Sequence, residues 1–270
     1  QRLLLQPFRF HVSEDIYTSI LLQSDRKAGW KSVYHPTVLA RMLSPWCMDA
    51  WAAQRLKYAG GTLDIFLHDN PLFRPGMPLS TRLHYAATFW SYLSSLWLSV
   101  LLAAPVWALA TGTAPLSANP LVFFAHLVPL LVVNELALLA GCAGHDVHGG
   151  RILSIACIPY NLKALWLALR RQRVVFRPTP KIPLVSPALD HVRPHLVLLA
   201  AMATVAGWAI TRELSGDSTF GPGFLVANLF WLAWNASALV SLVAMALWRP
   251  PSPAERNSKE FPNATVVEAQ

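Results

Sequence analysis

The sequence predicts a mainly α-helical, multi-pass membrane protein that opens with a soluble segment of mixed helix and strand character. Three observations carry that expectation. Charged residues make up 13% of the 270 and mean hydropathy is +0.39, more apolar surface than one soluble core of this size needs. Four windows reach the roughly 20 residues that cross a bilayer core: 86–110, 121–142, 195–210 with its flanks, and 224–248. The basic residues are sorted by side. Arg74 and Arg82 precede the first window, and Arg151, Lys163, Arg170, Arg171, Arg173, Arg177, Lys181 and Arg193 fill the interval between the second and third. The connection 111–120 carries no charge, and Arg212 is the only basic residue between the third and fourth. Because Lys and Arg accumulate on the cytoplasmic side, both termini and the middle interval are expected inside. The same sorting argues against nucleic acid as the partner of the net charge of +8, since no single basic stripe forms.

Taken in order, Ser13 is placed to cap a first helix, Ile16 and Ile20 share its face, and Gly29 ends it. Trp30-Lys31-Ser32-Val33-Tyr34 is a β-rich run closed by Pro36. Ser44 as cap and Pro45 at the first position open a second helix that ends at Gly60-Gly61. On it Trp51, Gln54, Lys57 and Tyr58 fall three or four apart and share a face. The membrane windows follow, rimmed by Trp90, Trp97, Trp107, Trp208 and Trp248. The stretch 151–173 is apolar enough to resemble another crossing. Arg151 at one end and Arg170, Arg171 and Arg173 at the other would then put positive charge on both sides, so it reads as a helix lying in the inner interface. The layout is therefore a soluble segment over residues 1–75, a bundle over 76–248 and a Pro-rich polar tail over 249–270. No secretory signal opens the chain, and Cys47, Cys142 and Cys157 read as free thiols.

Two clusters carry chemistry on residue type alone. Ser13-Glu14-Asp15 sets two carboxylates in a helix's first turn, where one can serve as a general base or both can complement the helix dipole. Gln54-Arg55-Leu56-Lys57-Tyr58, with Gly61 beyond it, sets polar, cationic and aromatic groups on one face, suited to a sugar or to lipid headgroups. His145-Asp146-Val147-His148 has metal-ligand residue types but no further ligands near it in sequence. Asn134-Glu135 lies inside the second window, where it either faces a channel, with Trp97 and Trp231 as stacking surfaces, or bonds a neighbouring helix.

These clusters also resemble motifs of the processive family 2 glycosyltransferases, the family of the bacterial cellulose synthase catalytic subunit. Ser13-Glu14-Asp15, followed by Ile16-Tyr17-Thr18-Ser19 and Gly29-Trp30-Lys31-Ser32-Val33-Tyr34, resembles the family's Thr-Glu-Asp segment. Gln54-Arg55-Leu56-Lys57-Tyr58 resembles its Gln-Arg-x-Arg-Trp, with Lys57 for Arg and Tyr58 for Trp. Phe176-Arg177-Pro178-Thr179-Pro180-Lys181 resembles its Phe-x-Val-Thr-x-Lys gating loop, with Pro178 for Val and Ile182 for Gly. Leu39-Ala40 and Ser44-Pro45 stand between the first two motifs in the family's order.

The resemblance implies the C-terminal portion of an α/β glycosyltransferase-A domain over residues 1–75, then about four transmembrane helices, the interface helix and a gating loop at 174–184. Asp15 is implied as the base. Glu14, Gln54, Arg55, Lys57 and Tyr58 are implied as the acceptor and diphosphate platform, and Phe176, Thr179 and Lys181 as the gate. The implied reaction is inverting transfer of glucose from UDP-glucose to a β-glucan, with export through an inner-membrane bundle. Curdlan-, mannan-, chitin- or hyaluronan-like products remain alternatives, as does a non-catalytic channel or scaffold. Mg²⁺ is implied on the diphosphate, but no Asp-x-Asp occurs in the sequence. The nucleotide-sugar and metal half is thus expected elsewhere, in a missing N-terminal half, and the chain alone is expected to be inactive. Membrane lipids and a periplasmic export subunit complete the implied partners. Arg256, Lys259 and Phe261-Pro262 resemble the basic opening of a PilZ domain, with no nucleotide sensing expected from these residues.

Overall fold

The computed structural model describes residues 11–40, 45, 47–114, 120–143, 147–172, 174, 188–216 and 221–248. Seven α-helices account for most of them: α1 (Glu14–Ser24), α2 (Met48–His68), α3 (Leu79–Thr111), α4 (Pro120–Gly141), α5 (Val147–Leu169), α6 (Arg193–Leu214) and α7 (Pro222–Leu247). Short 3₁₀ turns at Pro71–Phe73 and Ala188–Val192 lead into α3 and α6. Five helices are long and apolar enough to cross a membrane: α3, α4, α5, the Ala188–Leu214 segment containing α6, and α7. The chain is a mainly α-helical, multi-pass membrane protein.

Four of the five fall on the windows that hydropathy marks. The fifth, α5, covers the expected interface helix with bounds shifted to 147–169. Its apolar residues are spread around its whole circumference, the pattern of a helix buried in protein or in a membrane. Ala156, Ile158, Asn161, Ala164 and Ala168 are all buried. Its neighbours α2, α3 and α7 pack against it, while Trp166 and Leu169 stay exposed.

The main core joins α3, α5, α6 and α7 through Leu102, Leu109, Ile158, Met202, Ala209, Leu225, Leu232 and Leu239. The Asn161 amide donates to the Ser95 hydroxyl at 2.9 Å in the same bundle, both side chains buried, so each polar group satisfies the other away from water. By contrast α4 stays outside: no residue of its apolar window is buried.

A second core ties α1 to α2 and the start of α3 through Ile20, Ile65, Met77 and Phe89. Burying Ile20 completely is worth about 1.5–3 kcal/mol relative to leaving it in water. A third joins α2 to α5 through Ala59, Leu63, Ala164 and Ala168. Small residues let these two helices approach closely. They run in the same direction, because Trp51 meets Tyr160 near one end while Leu63 shares its cluster with Ala168 near the other.

Three local expectations are corrected. Helix α1 ends at Ser24, five residues before Gly29. The Asp25 carboxylate accepts from the amides of Lys27 and Ala28, and Gly29 closes the following turn at φ 62°. The run 30–34 is irregular, with Val33 88% and Tyr34 87% exposed. A strand needs a neighbour to pair with, and the described residues contain none. Helix α2 begins at Met48, after Cys47, and passes through Gly60-Gly61 to His68. Ser44 lies outside the described residues, and Pro45 precedes the first turn by three positions.

Candidate functional site

Helix α2 tolerates two central glycines because other segments of the chain occupy the space that side chains there would take. A Cβ on Gly61 would meet the Ser13 hydroxyl, and one on Gly60 would meet the Val174 side chain at 2.3 Å. Each glycine costs roughly 0.5–1 kcal/mol relative to alanine in a helix. The return is close approach of two segments to the helix that carries Gln54, Arg55, Lys57 and Tyr58.

The first of these segments is the acidic triplet. Ser13 precedes α1 but makes no side-chain cap; it is buried against Gly61 instead. Glu14 and Asp15 follow in the first turn with exposed side chains. The Ile16 amide donates to Asp15 Oδ1 at 2.8 Å. Behind the triplet, the Ser13 amide donates to His11 Nδ1 at 3.1 Å, and the other ring nitrogen of His11 meets Asp64 Oδ2 at 3.1 Å. His68 Nδ1 meets Asp64 Oδ1 at 2.8 Å. On the next turn of α1, the Tyr17 hydroxyl bonds the Asp69 carboxylate, and Arg74 pairs with Asp69 at 3.2 Å. Burial first, and then the adjoining Asp69 carboxylate, push the Tyr17 hydroxyl above its ordinary range, with Arg74 pulling partly back.

The platform residues divide between two directions. The Arg55 guanidinium lies over the Trp51 ring at 5.6 Å and within electrostatic reach of Tyr92 on α3 and Cys157 on α5. Its Nε is buried and has no hydrogen-bond partner among the described residues. Lys57 and Tyr58 face outward together, the ammonium 5.9 Å from the ring centroid, and Tyr58 is 41% exposed. Gln54 is half-buried beside them. The arrangement supplies an open aromatic face for stacking and cationic groups for an anion.

Phe176, Thr179 and Lys181 lie outside the described residues. The two flanks of their segment are described, and both sit on α2. Helix α5 ends in a Schellman cap: the Gln172 amide donates to the Leu167 carbonyl at 2.9 Å, and the Arg171 amide to that of Ala168 at 3.0 Å. Arg171 itself takes the left-handed conformation at φ 55°. The chain then meets Gly60 through Val174. At the far flank, His191 bonds the Asp49 carboxylate in the first turn of α2, and the Tyr160 hydroxyl donates to the His191 carbonyl at 3.3 Å. Gln54–Tyr58 therefore lies between the two anchor points, which are eleven residues, or about 16 Å, apart along the helix.

Sequence reasoning missed Gly60-Gly61 as a docking point, together with Asp49, His191, His11 and Asp64. A glycine pair inside an otherwise helical pattern was the available signal. The other candidates disperse. Glu135 pairs with Arg151, joining α4 to α5. Trp97 packs on Trp90 at 4.4 Å, while Trp231 packs on Phe230. His145 and Asp146 lie outside the described residues. Among the described residues no group of three or more His, Cys, Asp or Glu could hold a metal ion, so these residues do not fit the Mg²⁺ that the resemblance implies.

Comparison with known proteins adds an independent line. A family model described as glycosyl transferase family group 2 matches residues 3–139. The UDP-forming cellulose synthase catalytic subunit of Pseudomonas fluorescens is 27% identical over 241 residues, covering 87% of this chain and 32% of that protein. Cellulose synthase 1 of Komagataeibacter xylinus is 32% identical over 271 residues, covering 95% of this chain and 17% of that protein. Cellulose synthase 1 of Novacetimonas hansenii matches with the same identity and coverage. The chain thus spans about a third or less of the length of these relatives.

Proposed function

The chain belongs to glycosyl transferase family group 2, and from that premise we propose that it forms the acceptor and exit portion of a processive, inverting β-glycan synthase. The observation that carries this reading is convergence on α2: the acidic triplet seats on Gly61, and the segment bearing Phe176, Thr179 and Lys181 leaves from Gly60 and returns at Asp49. The triplet and the two described flanks of that segment, far apart in sequence, thereby meet the helix that carries Gln54–Tyr58.

In this reading Asp15, exposed at the start of α1, takes the proton from an acceptor sugar hydroxyl as it attacks the anomeric carbon of UDP-glucose. Tyr58 stacks on the acceptor, and Glu14 and Gln54 offer it hydrogen bonds. Lys57 stabilises the diphosphate, whose negative charge grows as the sugar leaves, and Arg55, turned inward over Trp51, joins it only by swinging outward. Thr179 and Lys181 close over the donor. Mg²⁺ finds no ligand set among the described residues, and no step here runs through it.

The soluble segment, the bundle and the loop are assigned to 1–75, 76–248 and 174–184. Helix α5 is assigned to the inner interface for a reason beyond its flanking charge. Although α5 is itself apolar enough to cross, it runs alongside α2, which is not among the five helices that are. The loop then lies on the same face as the triplet. Both ends of the chain are assigned to the cytoplasmic side of an inner membrane, with the polymer leaving through the bundle toward a periplasmic export partner.

The test is Asp15→Asn in the complete membrane protein, assayed for polymer from labelled UDP-glucose, UDP-N-acetylglucosamine and GDP-mannose in parallel. Loss of at least a hundredfold in turnover with one donor is expected, and that donor names the product. Unchanged turnover would remove Asp15 from the mechanism. A protein making no polymer from any of them would return the chain to the scaffold class.

A further inference from the structure

The acidic triplet is held from behind by a side chain that the proposed mechanism does not use. His11 sits at a junction of three contacts. The Ser13 amide donates to its Nδ1 at 3.1 Å, its Nε2 lies 3.1 Å from Asp64 Oδ2, and its ring stacks on Tyr17 with centroids 5.5 Å apart and planes 9° from parallel. These contacts fix the tautomer. Nδ1 accepts, so the proton of the neutral ring resides on Nε2 and is donated to Asp64. Asp64 is itself held by His68 on the next turn of α2. A chain of hydrogen bonds therefore runs from α2 through an imidazole to the backbone of the first residue of the triplet.

We infer that His11 is a positioning residue for Asp15, locking the start of α1 to α2 through the Asp64 carboxylate. This deepens the reading of Asp15 as the base and rests on it. The geometry has the form in which a carboxylate orients an imidazole, which in turn orients the working group. What His11 holds is a peptide N–H two residues before Asp15. Ser13 cannot supply the restraint by capping, because its side chain is turned into α2. The amide contact to His11 and the steric fit on Gly61 thus set the register of the first turn. Losing the former frees Asp15 to wander by a fraction of an ångström, and displacement on that scale costs turnover while leaving acceptor binding on Tyr58 intact.

Two substitutions separate the ends of the imidazole. In His11→Asn, the amide oxygen stands near the place of Nδ1 and keeps the acceptor for Ser13. In His11→Gln, the amide nitrogen stands near the place of Nε2, keeping the donor to Asp64 and losing the acceptor. Both are to be made in the complete protein beside Asp15→Asn, with kcat and KM for polymer formation and amide hydrogen exchange over residues 11–20 measured together. The expected result is a roughly tenfold fall in kcat for His11→Gln at unchanged KM, with faster exchange at Ser13. His11→Asn keeps the acceptor for Ser13 but cuts the link to Asp64, so its kcat should also fall several-fold at unchanged KM, with any faster exchange confined to the first turn of α1. If Asp15→Asn is dead while both His11 variants match the parent in kcat, the positioning role is wrong and the base assignment stands. If Asp15→Asn is active, the base assignment fails and the positioning role fails with it. If both His11 variants lose kcat and raise exchange across the whole of α1 alike, His11 is a folding residue and the proposal is overturned.

Discussion

Ser13 and Gly61 compete for one space: a Cβ on Gly61 would stand 1.9 Å from the Ser13 hydroxyl and 2.8 Å from its Cβ. Gly61→Ala should therefore force the triplet away from α2. Overpacking of this kind costs about 1–3 kcal/mol. The expected outcome is a lower melting temperature in detergent and at least a tenfold loss of polymer synthesis. The double variant Ser13→Gly, Gly61→Ala should recover part of the melting temperature, because the clashing hydroxymethyl group is gone while Val12 Cγ1, 2.8 Å from the new Cβ, remains. Equal losses in single and double variants would mean that the contact is not what requires glycine.

The Asp49–His191 pair closes the far end of the loop segment. Asp49→Ala should detach that anchor and leave the one at Gly60. Limited proteolysis is the measurement: cutting between 174 and 188 should speed up several-fold while cutting elsewhere stays constant. His191→Ala should reproduce the effect, and the double variant should add little to either single one, as expected for partners in one contact.

Arg171 holds the left-handed position of the α5 cap at φ 55°, a conformation costing a residue with a Cβ roughly 1–2 kcal/mol that glycine does not incur. Arg171→Gly keeps both cap hydrogen bonds and removes the strain, so a rise of a few degrees in melting temperature is expected. A fall would show that the guanidinium contributes more than the backbone loses.

Tyr17 carries a pH dependence whose sign follows from its raised pKa. The folded protein keeps the phenol proton at pH values where the unfolded chain, near its ordinary value of about 10, gives it up. The stabilisation is complete below pH 10 and disappears as pH rises through the higher folded value. Melting temperatures of the parent and Tyr17→Phe should converge in the window above pH 10, as the phenol ionises in the folded protein as well. A constant difference across that window would refute the assignment.

Much of the membrane bundle was legible because hydropathy acts over 20-residue windows and needs no partner: α3, α4, α6 and α7 fall where Leu, Val and Ala run with almost no charge. The motif around Gln54 was legible for a different reason, since its order of residue types is local. The continuation of α2 through Gly60-Gly61 was not, because two glycines read as a helix stop unless one knows that Ser13 and Val174 occupy the space they leave. Nor was the run 30–34 readable, since β-branched and aromatic residues predict a strand only where a second strand is present. Asp49 and His191 are 142 positions apart, and no spacing rule reaches that far. Arg55 reads as one more cation on a face, and only packing reveals that its Nε is buried between three helices.

Both ends of the loop segment are moored to a single rigid rod. A tilt, slide or rotation of α2 carries Val174 and His191 together and leaves the chord between them unchanged. Only the release of one mooring would change that chord. The Tyr58 ring rides the same rod, so it keeps its register with Val174 and His191 however the helix shifts.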